Sequence, residues 1–507
     1  MRRMRKRAHG SARPNISQLP FGQVQNPYEP MKVISDDQVE ALHIASLKVL
    51  SEIGMDFQLP EAVEILREAG ADIDPDGVRV RFDPAFVEEM LKTVPSSFIL
   101  HGRNAERDLE FGGKTTIWAS VASTPNVSDR ERGRVSGNFA DMCNLTKLAH
   151  VLNPVHAIAG YMVEPMDLEV PTRHLTAVSE IAKITDKPIF AYAFGKERMQ
   201  DGIEIARIAR GITHDQMMQQ PSLHTVVNSN TPLIYDKALL EGAIEMARLN
   251  QPVIYTPFTL AGAMTPVTLA AALIQQNAEA LAGIVFSQCV NPGAPAVYGC
   301  FTSNVDMKTG SPAFGTPEYA KAGIASGQLA RRYNIPWRSS NVTASNAADV
   351  QATYEAQMSI WPIILGQAHY VNHGFGWIEG GLCTSYEKMI IDAEMVQMMN
   401  SFLEPIDTSE AELGLDAMAE VGPGGHFFGC SHTIERYQQA FYSPMLSDWR
   451  NFENWRDDGG IETSDRATRL WKQLLSEYEA PALDPAIREE LDDFVARRIS
   501  EGGAPPL

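Results

Sequence analysis

Cysteine is scarce: 507 residues hold five, Cys143, Cys289, Cys300, Cys383 and Cys430. They are scattered, odd in number and without paired spacing, a pattern that argues against a disulfide framework and suits reduced thiols in a cytoplasm. Basic residues are also in deficit, since 43 Lys and Arg stand against 63 Asp and Glu for a net charge of -20. That sign disfavours nucleic acid and anionic membrane as partners. The opening residues, MRRMRKRAHG, are basic but lack the apolar stretch of a secretory signal, so they read as a solvated tail. The longest apolar segment, Thr265 to Ser287, contains Gln275, Gln276, Asn277 and Glu279, which are costly in lipid. It reads as a buried helix.

What is abundant is alternation. Short apolar runs, each followed by an amphipathic stretch, recur eight times: Thr115 to Ser120, Val155 to Met162, Pro188 to Phe194, Leu223 to Asn228, Val253 to Pro257, Ala296 to Phe301, Pro336 to Asn341 and His369 to Phe375. Strand-then-helix units at intervals of roughly 30 to 45 residues suit parallel crossovers, and eight of them suit a closed (β/α)8 barrel, a TIM barrel, in the α/β class. An open doubly wound sheet is the competing fold, but its glycine-rich dinucleotide turn after the first strand is missing. Thr265-Pro266 and Thr316-Pro317 offer a cap hydroxyl followed by proline at the first helical position, and Thr384 with Glu387 has capping-box spacing. After Asp349, Val350, Tyr354, Met358, Trp361 and Leu365 share one helical face, which Pro362 should kink.

The chain therefore divides into a basic tail over 1–34, a mostly helical extension over 35–114, the barrel over 115–400, and a helical and aromatic extension over 401–507. Within the first extension, Ser35 to Ile53 carries an apolar stripe and stops at Gly54, and Val78 to Phe82 alternates like a strand.

An active site in a barrel lies where the strands end. Reading toward the carboxyl ends yields Trp118, Tyr161, Tyr192, Phe194, Asn228, Phe258, Phe301, Arg338, Asn341, His373, Phe375 and, just beyond, Trp377. Any one of these rings is as well explained as core filling. Together they suit a quaternary ammonium ion, which aromatic faces attract, with Arg338 and His373 placed to receive an anionic group on the same ligand. Metal ligation has thin support: His369 and His373 share a strand face, and Cys430 lies two before His432, but neither pair has a local third ligand. Nothing pairs a serine or cysteine nucleophile with a base.

Several long blocks resemble one known family, the corrinoid-dependent trimethylamine methyltransferases. They are ASLKVLSEIG at Ala45 to Gly54, FTLAGAMTPVT at Phe258 to Thr268, DMKTGSPAFGTPE at Asp306 to Glu318, DVQATYE at Asp349 to Glu355, GGLCTSYEKMIIDAEM at Gly380 to Met395 and VGPGGHFFG at Val421 to Gly429. The resemblance spans roughly Ser35 to Gly460. It implies a barrel that passes a methyl group from an amine to the cobalt of a corrinoid, cobalamin-type, on a separate protein, and it implies a homo-oligomer.

The trimethylamine enzymes carry pyrrolysine on the loop after the seventh strand, and alignment on DVQATYE puts that position near Val342. By resemblance the chain belongs to the branch without pyrrolysine, similar to glycine betaine methyltransferases, and no side chain is assigned as acid, base or nucleophile. A resident corrinoid module of the common type needs Asp-x-His-x-x-Gly. His373 has Gly376 but Val371 where Asp should stand, and His426 has Gly429 but Gly424. The corrinoid is therefore expected on a partner, with His426 a candidate for the docking surface. Two other classes remain open: a non-catalytic quaternary-amine binding protein and a metal-dependent barrel hydrolase.

Overall fold

The computed structural model describes residues 16–505; the MRRMRKRAHG opening lies outside them. Seven parallel strands form one sheet: β1 (Ile117–Trp118), β2 (Ile189–Phe190), β3 (Leu223–Val227), β4 (Val253–Tyr255), β5 (Ala296–Gly299), β6 (Trp337–Ser340) and β7 (Tyr370–Asn372). From β2 to β7 sequence neighbours are spatial neighbours, and β1 pairs in parallel with β7. Residues 155–159 fill the gap between β1 and β2. Ala157 bridges Ala119, the His156 amide donates to Trp118 O at 2.7 Å, and the Ile158 amide donates to Pro188 O at 3.0 Å. The ring is closed by eight staves. The second is shorter than the Val155 to Met162 run because Gly160 turns away at φ +139, where a Cβ would strike the Tyr192 hydroxyl.

Eight helices follow the eight staves: Phe139–Val151, Arg173–Ile184, Lys196–Arg210, Lys237–Arg248, Leu269–Val290, Pro317–Tyr333, Val350–Leu365 and Tyr386–Phe402. Thr316 caps its helix with Pro317 in the first turn, as the spacing implies. Two cap expectations shift. Thr268, not Thr265, caps Leu269–Val290, because the chain is still in a turn that bonds Gly262 N to Thr265 O; Ser385, not Thr384, accepts the Lys388 amide, because the helix begins at Tyr386, one residue later than the spacing implies. The helix Val350–Leu365 runs through Pro362 and ends within a turn of it. The apolar helix Leu269–Val290 is long enough to cross a membrane but is largely buried inside the fold. Its Gln276 and Asn277 bond to Tyr298, Ser326 and Tyr333, so its polar groups are satisfied by protein.

The segment that precedes the barrel in sequence is less helical than its pattern suggests. Asp36–Lys48 begins with a Ser35–Gln38 capping box and, after a π turn, stops at Gly54, where a Cβ would lie 2.6 Å from Val80 O. Short strands Met55–Phe57, Asp72–Ile73 and Arg79–Arg81 then pair with one another and with Ile234–Tyr235. A hairpin of Phe98–Leu100 and Leu109–Phe111 closes the barrel floor: Phe98 stacks on Phe111 at 4.7 Å, and Phe111 on Tyr370 at 5.3 Å. Residues 16–34 do not behave as a free tail. Asn26 is buried and donates to Ile364 O at 2.7 Å, and the Met31 amide donates to Leu365 O at 2.8 Å. At the other end, residues 404–460 form only short helices, whereas Thr463–Ser476 and Pro485–Ser500 pack on barrel helices. Trp471 donates to Glu387 at 2.9 Å, and Arg498 pairs with Asp201 at 2.7 Å.

Candidate active site

At mid-height the barrel interior is neutral. His224 on β3 meets the Tyr370 hydroxyl on β7 at 2.8 Å across the ring, and burial pushes the imidazole down to about 4. Above them the strand ends diverge. β4 and β5 break at Thr256 and Cys300, then resume as rim strands Phe258–Ala261 and Phe301–Val305, which pair with Phe258 opposite Phe301. The antiparallel return Pro312–Ala313 brings Phe314 back over the mouth.

These turns assemble a contiguous ring cluster. Phe301 lies 5.0 Å from Phe258, 5.6 Å from Phe314, 6.1 Å from Tyr319, 6.2 Å from Trp377 and 6.3 Å from His373. His373 and Trp377 are closest, at 4.3 Å. The Trp377 indole is fixed by donation to Thr343 O at 3.1 Å. Phe258 and His373 keep partial access to solvent, while Phe301, Phe314, Tyr319 and Trp377 are buried.

Arg338, on β6, enters this cluster from below. It is 2% exposed, its guanidinium carbon stands 5.5 Å from the Phe301 centroid, and Nη1 donates to Cys300 O at 3.3 Å. Among the described residues Nε has no partner, nor do Thr256 Oγ1, Ser340 Oγ, Asn341 Oδ1 and His373 Nδ1 at nearby strand ends. Buried polar atoms are ordinarily satisfied, so unpartnered ones gathered at one end of a barrel mark where a ligand or water completes the site. Burial, reinforced by Arg338, holds His373 well below the usual imidazole range, so its ring is neutral at pH 7.

The sequence candidates do not all converge. Tyr161, Tyr192 and Phe194 form a second group: Tyr161 and Tyr192 meet edge to face at 4.8 Å, and Tyr192 stacks on Phe194 at 5.6 Å. With Glu164, Arg173, His174 and Arg198 they line a separate cavity of about 380 Å³. Asn228 is exposed and donates to Thr256 O at 2.8 Å, tying two strand ends together. Asn341 is buried beneath the mouth, where its amide donates to Gly374 O at 3.0 Å and to Asp392 at 3.3 Å. Phe375 is fully buried in the main core, and Trp118 points outward, its indole donating to Asn400 at 3.0 Å. Val342, near which the pyrrolysine position was expected, is also fully buried in that core. Missed from sequence were Phe314, which follows the return strand Pro312–Ala313, and Tyr319, in the first turn of a helix; neither is at a barrel strand end.

Behind Asn341 sits an enclosed ion pair. Lys388 and Asp392 are wholly buried and bonded to each other; Asp392 also accepts the Gly376 amide at 2.7 Å, which pins the loop carrying His373 and Trp377. Burial holds the Asp392 carboxyl above its ordinary range, opposed by Lys388. Metal ligation gains nothing: among the described residues no three His, Cys, Asp or Glu side chains are grouped to hold an ion. His369 sits at the barrel floor, where its ring accepts the Trp337 amide at 3.0 Å, away from His373.

A closed parallel barrel with rings and a guanidinium gathered at its carboxyl end has the architecture of a (β/α)8 enzyme, a class that carries its chemistry at that end. The family model described as trimethylamine methyltransferase (MTTB) matches residues 1–503. A glycine betaine methyltransferase of Desulfitobacterium hafniense (strain Y51) is 36% identical over 472 residues, covering 93% of this chain and 98% of that protein. The trimethylamine methyltransferase MttB of D. hafniense (strain DSM 10664 / DCB-2) is 27% identical, over 92% and 94% of the two chains. A proline betaine:corrinoid methyltransferase of Eubacterium limosum is 26% identical, over 92% and 97%. The chain belongs to the trimethylamine methyltransferase family and is a methyltransferase.

Proposed function

We propose that this chain moves a methyl group from a quaternary amine, glycine betaine, to the cobalt(I) centre of a corrinoid carried by a separate protein, with dimethylglycine as the other product. The observation that carries the reading is the ring cluster around Phe301 at the barrel mouth. Each ring face attracts an onium group by about 0.5–2 kcal/mol, depending on desolvation. The name of the 36% identical relative supports the choice of amine, and that of the E. limosum relative supports a corrinoid acceptor. The missing Asp-x-His-x-x-Gly loop supports a separate carrier.

The chemistry explains why buried Val342 can stand where relatives hold an activating residue. The methyl carbon accepts an electron pair from cobalt(I), the carbon–nitrogen bond breaks, and its pair stays on nitrogen. A quaternary nitrogen already bears the charge that lets it depart as a neutral tertiary amine. What this chain must supply is alignment and exclusion of water; effective molarities of order 10⁵ M show what alignment can contribute. Rings that held the cation uniformly tightly would not speed the step, because its charge disappears in the transition state.

The five free cysteines support a reducing cytoplasm as the setting. Exposed Phe428, Phe441, Trp449 and Phe452 in the poorly buried 404–460 segment support a homo-oligomer. The reaction is tested by incubating the protein with glycine betaine and free cob(I)alamin and following methylcobalamin and dimethylglycine. Betaine binding with no cobalt-dependent product refutes the reading in favour of a binding protein.

A further inference from the structure

We propose that Arg338 is a charge filter: it admits quaternary amines bearing a carboxylate on a short spacer and turns away cations without one, such as choline and tetramethylammonium. The proposal rests on the Phe301 cluster being the amine site. Arg338 is almost completely enclosed, has no carboxylate within ion-pairing distance among the described residues, and leaves Nε unbonded. Removing one partner of a buried pair is strongly unfavourable, and this arginine is in that condition before any ligand arrives.

Among the described residues Arg338 is the one buried arginine, and most of the less enclosed ones are completed differently. Arg132 is clamped by Asp129 and Asp141, and Arg498 by Asp201 and Glu501. Among the described residues Arg103 and Arg210 lack a carboxylate but donate to several carbonyl or side-chain oxygens near the barrel floor, although Arg103 Nε is unpartnered; Arg331, with one carbonyl and an unpartnered Nη2, shares the deficit but is only partly enclosed. Arg338 has one carbonyl and one ring face. The titratable groups that face it supply no compensating charge at neutral pH: burial raises Cys300 to about 11 and raises Tyr319 and Tyr370, and His373 is neutral.

Geometry links the guanidinium to the onium site. Arg338 stands 5.5 Å from the Phe301 centroid, and an onium group engages a ring from within about 6 Å. Both charges therefore address the same ring, and a single ligand satisfies both only if its cationic nitrogen and carboxylate are separated by a short spacer. A cation with no carboxylate meets an unpaired positive charge in a low-dielectric enclosure, so the same residue attracts one class and repels the other.

The test compares glycine betaine, choline, tetramethylammonium and glycine betaine methyl ester with the wild-type chain and with Arg338→Gln and Arg338→Lys. Methyl transfer to cob(I)alamin is read as kcat/KM, and binding is read by calorimetry. A polar site discriminates strongly against a ligand lacking the complementary group, so wild type should favour betaine over choline by about 100-fold or more. Arg338→Gln should lower betaine use by about 100-fold and leave choline use unchanged or raised, while Arg338→Lys retains part of the preference. The methyl ester should behave like choline with the unaltered protein, an arm that needs no variant to fold. Equal use or equal binding of betaine and its ester by wild type overturns the filter, as does an unchanged betaine-to-choline ratio in a folded Arg338→Gln. If wild type binds betaine over choline but transfers no methyl group, the filter stands and the methyltransfer reading fails.

Discussion

Replacing Phe301 with leucine separates what the ring cluster does for binding from what it does for chemistry. The side chain is buried, and its ring touches five other rings and the Arg338 guanidinium. Leucine keeps an apolar branched group there, so the stability cost is that of a few buried carbons, about 1–2 kcal/mol. The lost ring face is worth about 0.5–2 kcal/mol to an onium ligand, which corresponds to about a 2- to 30-fold weaker complex at 1.36 kcal/mol per tenfold. The sign of the kinetic effect follows from the disappearing charge: the ring holds the substrate more firmly than the transition state. KM should rise by that factor and kcat should hold or increase slightly. Initial rates of methyl transfer over a range of betaine concentrations measure both constants, with a thermal melt to verify folding. An unchanged KM in a folded variant, or a collapse of kcat at constant KM, refutes the assignment of Phe301 to the onium site.

Three other outcomes are expected. Asp392→Asn keeps an acceptor for the Gly376 amide but strands Lys388 in a fully buried position, a change that should cost about 3–5 kcal/mol, and adding Lys388→Met should restore much of it in denaturant melts. Acid should destabilise the fold through His156 and His224, whose buried rings are pushed down to about 3 and about 4 from an ordinary 6.5. Each is depressed, so its contribution is complete above about pH 6.5 and is lost as pH falls toward the folded value, at about 1.4 kcal/mol per pH unit per ring; melts from pH 7 to 5 check this. Val342→Ala should cost about 1–2 kcal/mol of stability while leaving methyl transfer within a few-fold, because a buried core valine activates nothing; a large loss of kcat in the folded variant counts against the reading.

The barrel was legible because strand and helix periods are local. Eight apolar runs between amphipathic stretches state their own alternation, and strand direction tells which end carries the site. Arg338, His373, Phe258, Phe301 and Trp377 were recoverable as strand-end residues for the same reason. Trp118 shows where that reasoning stops. Successive side chains on a strand face opposite ways, so a strand-end position names a residue without naming its side, and this indole bonds to Asn400 on an outer helix.

By itself, then, the amino-acid order determined the architecture, the family and the end of the barrel where chemistry belongs, since these follow from short-range periodicity and from contiguous blocks. Only tertiary structure decided that Phe314 and Tyr319 join Phe301, that Tyr161, Tyr192 and Phe194 line a different cavity, and that Val342 is packed into the core. It alone decided that Arg338 has no counter-charge among the described residues. Whether two side chains meet, or a charge goes unpaired, depends on how segments far apart in the chain are brought together, and no local pattern encodes that.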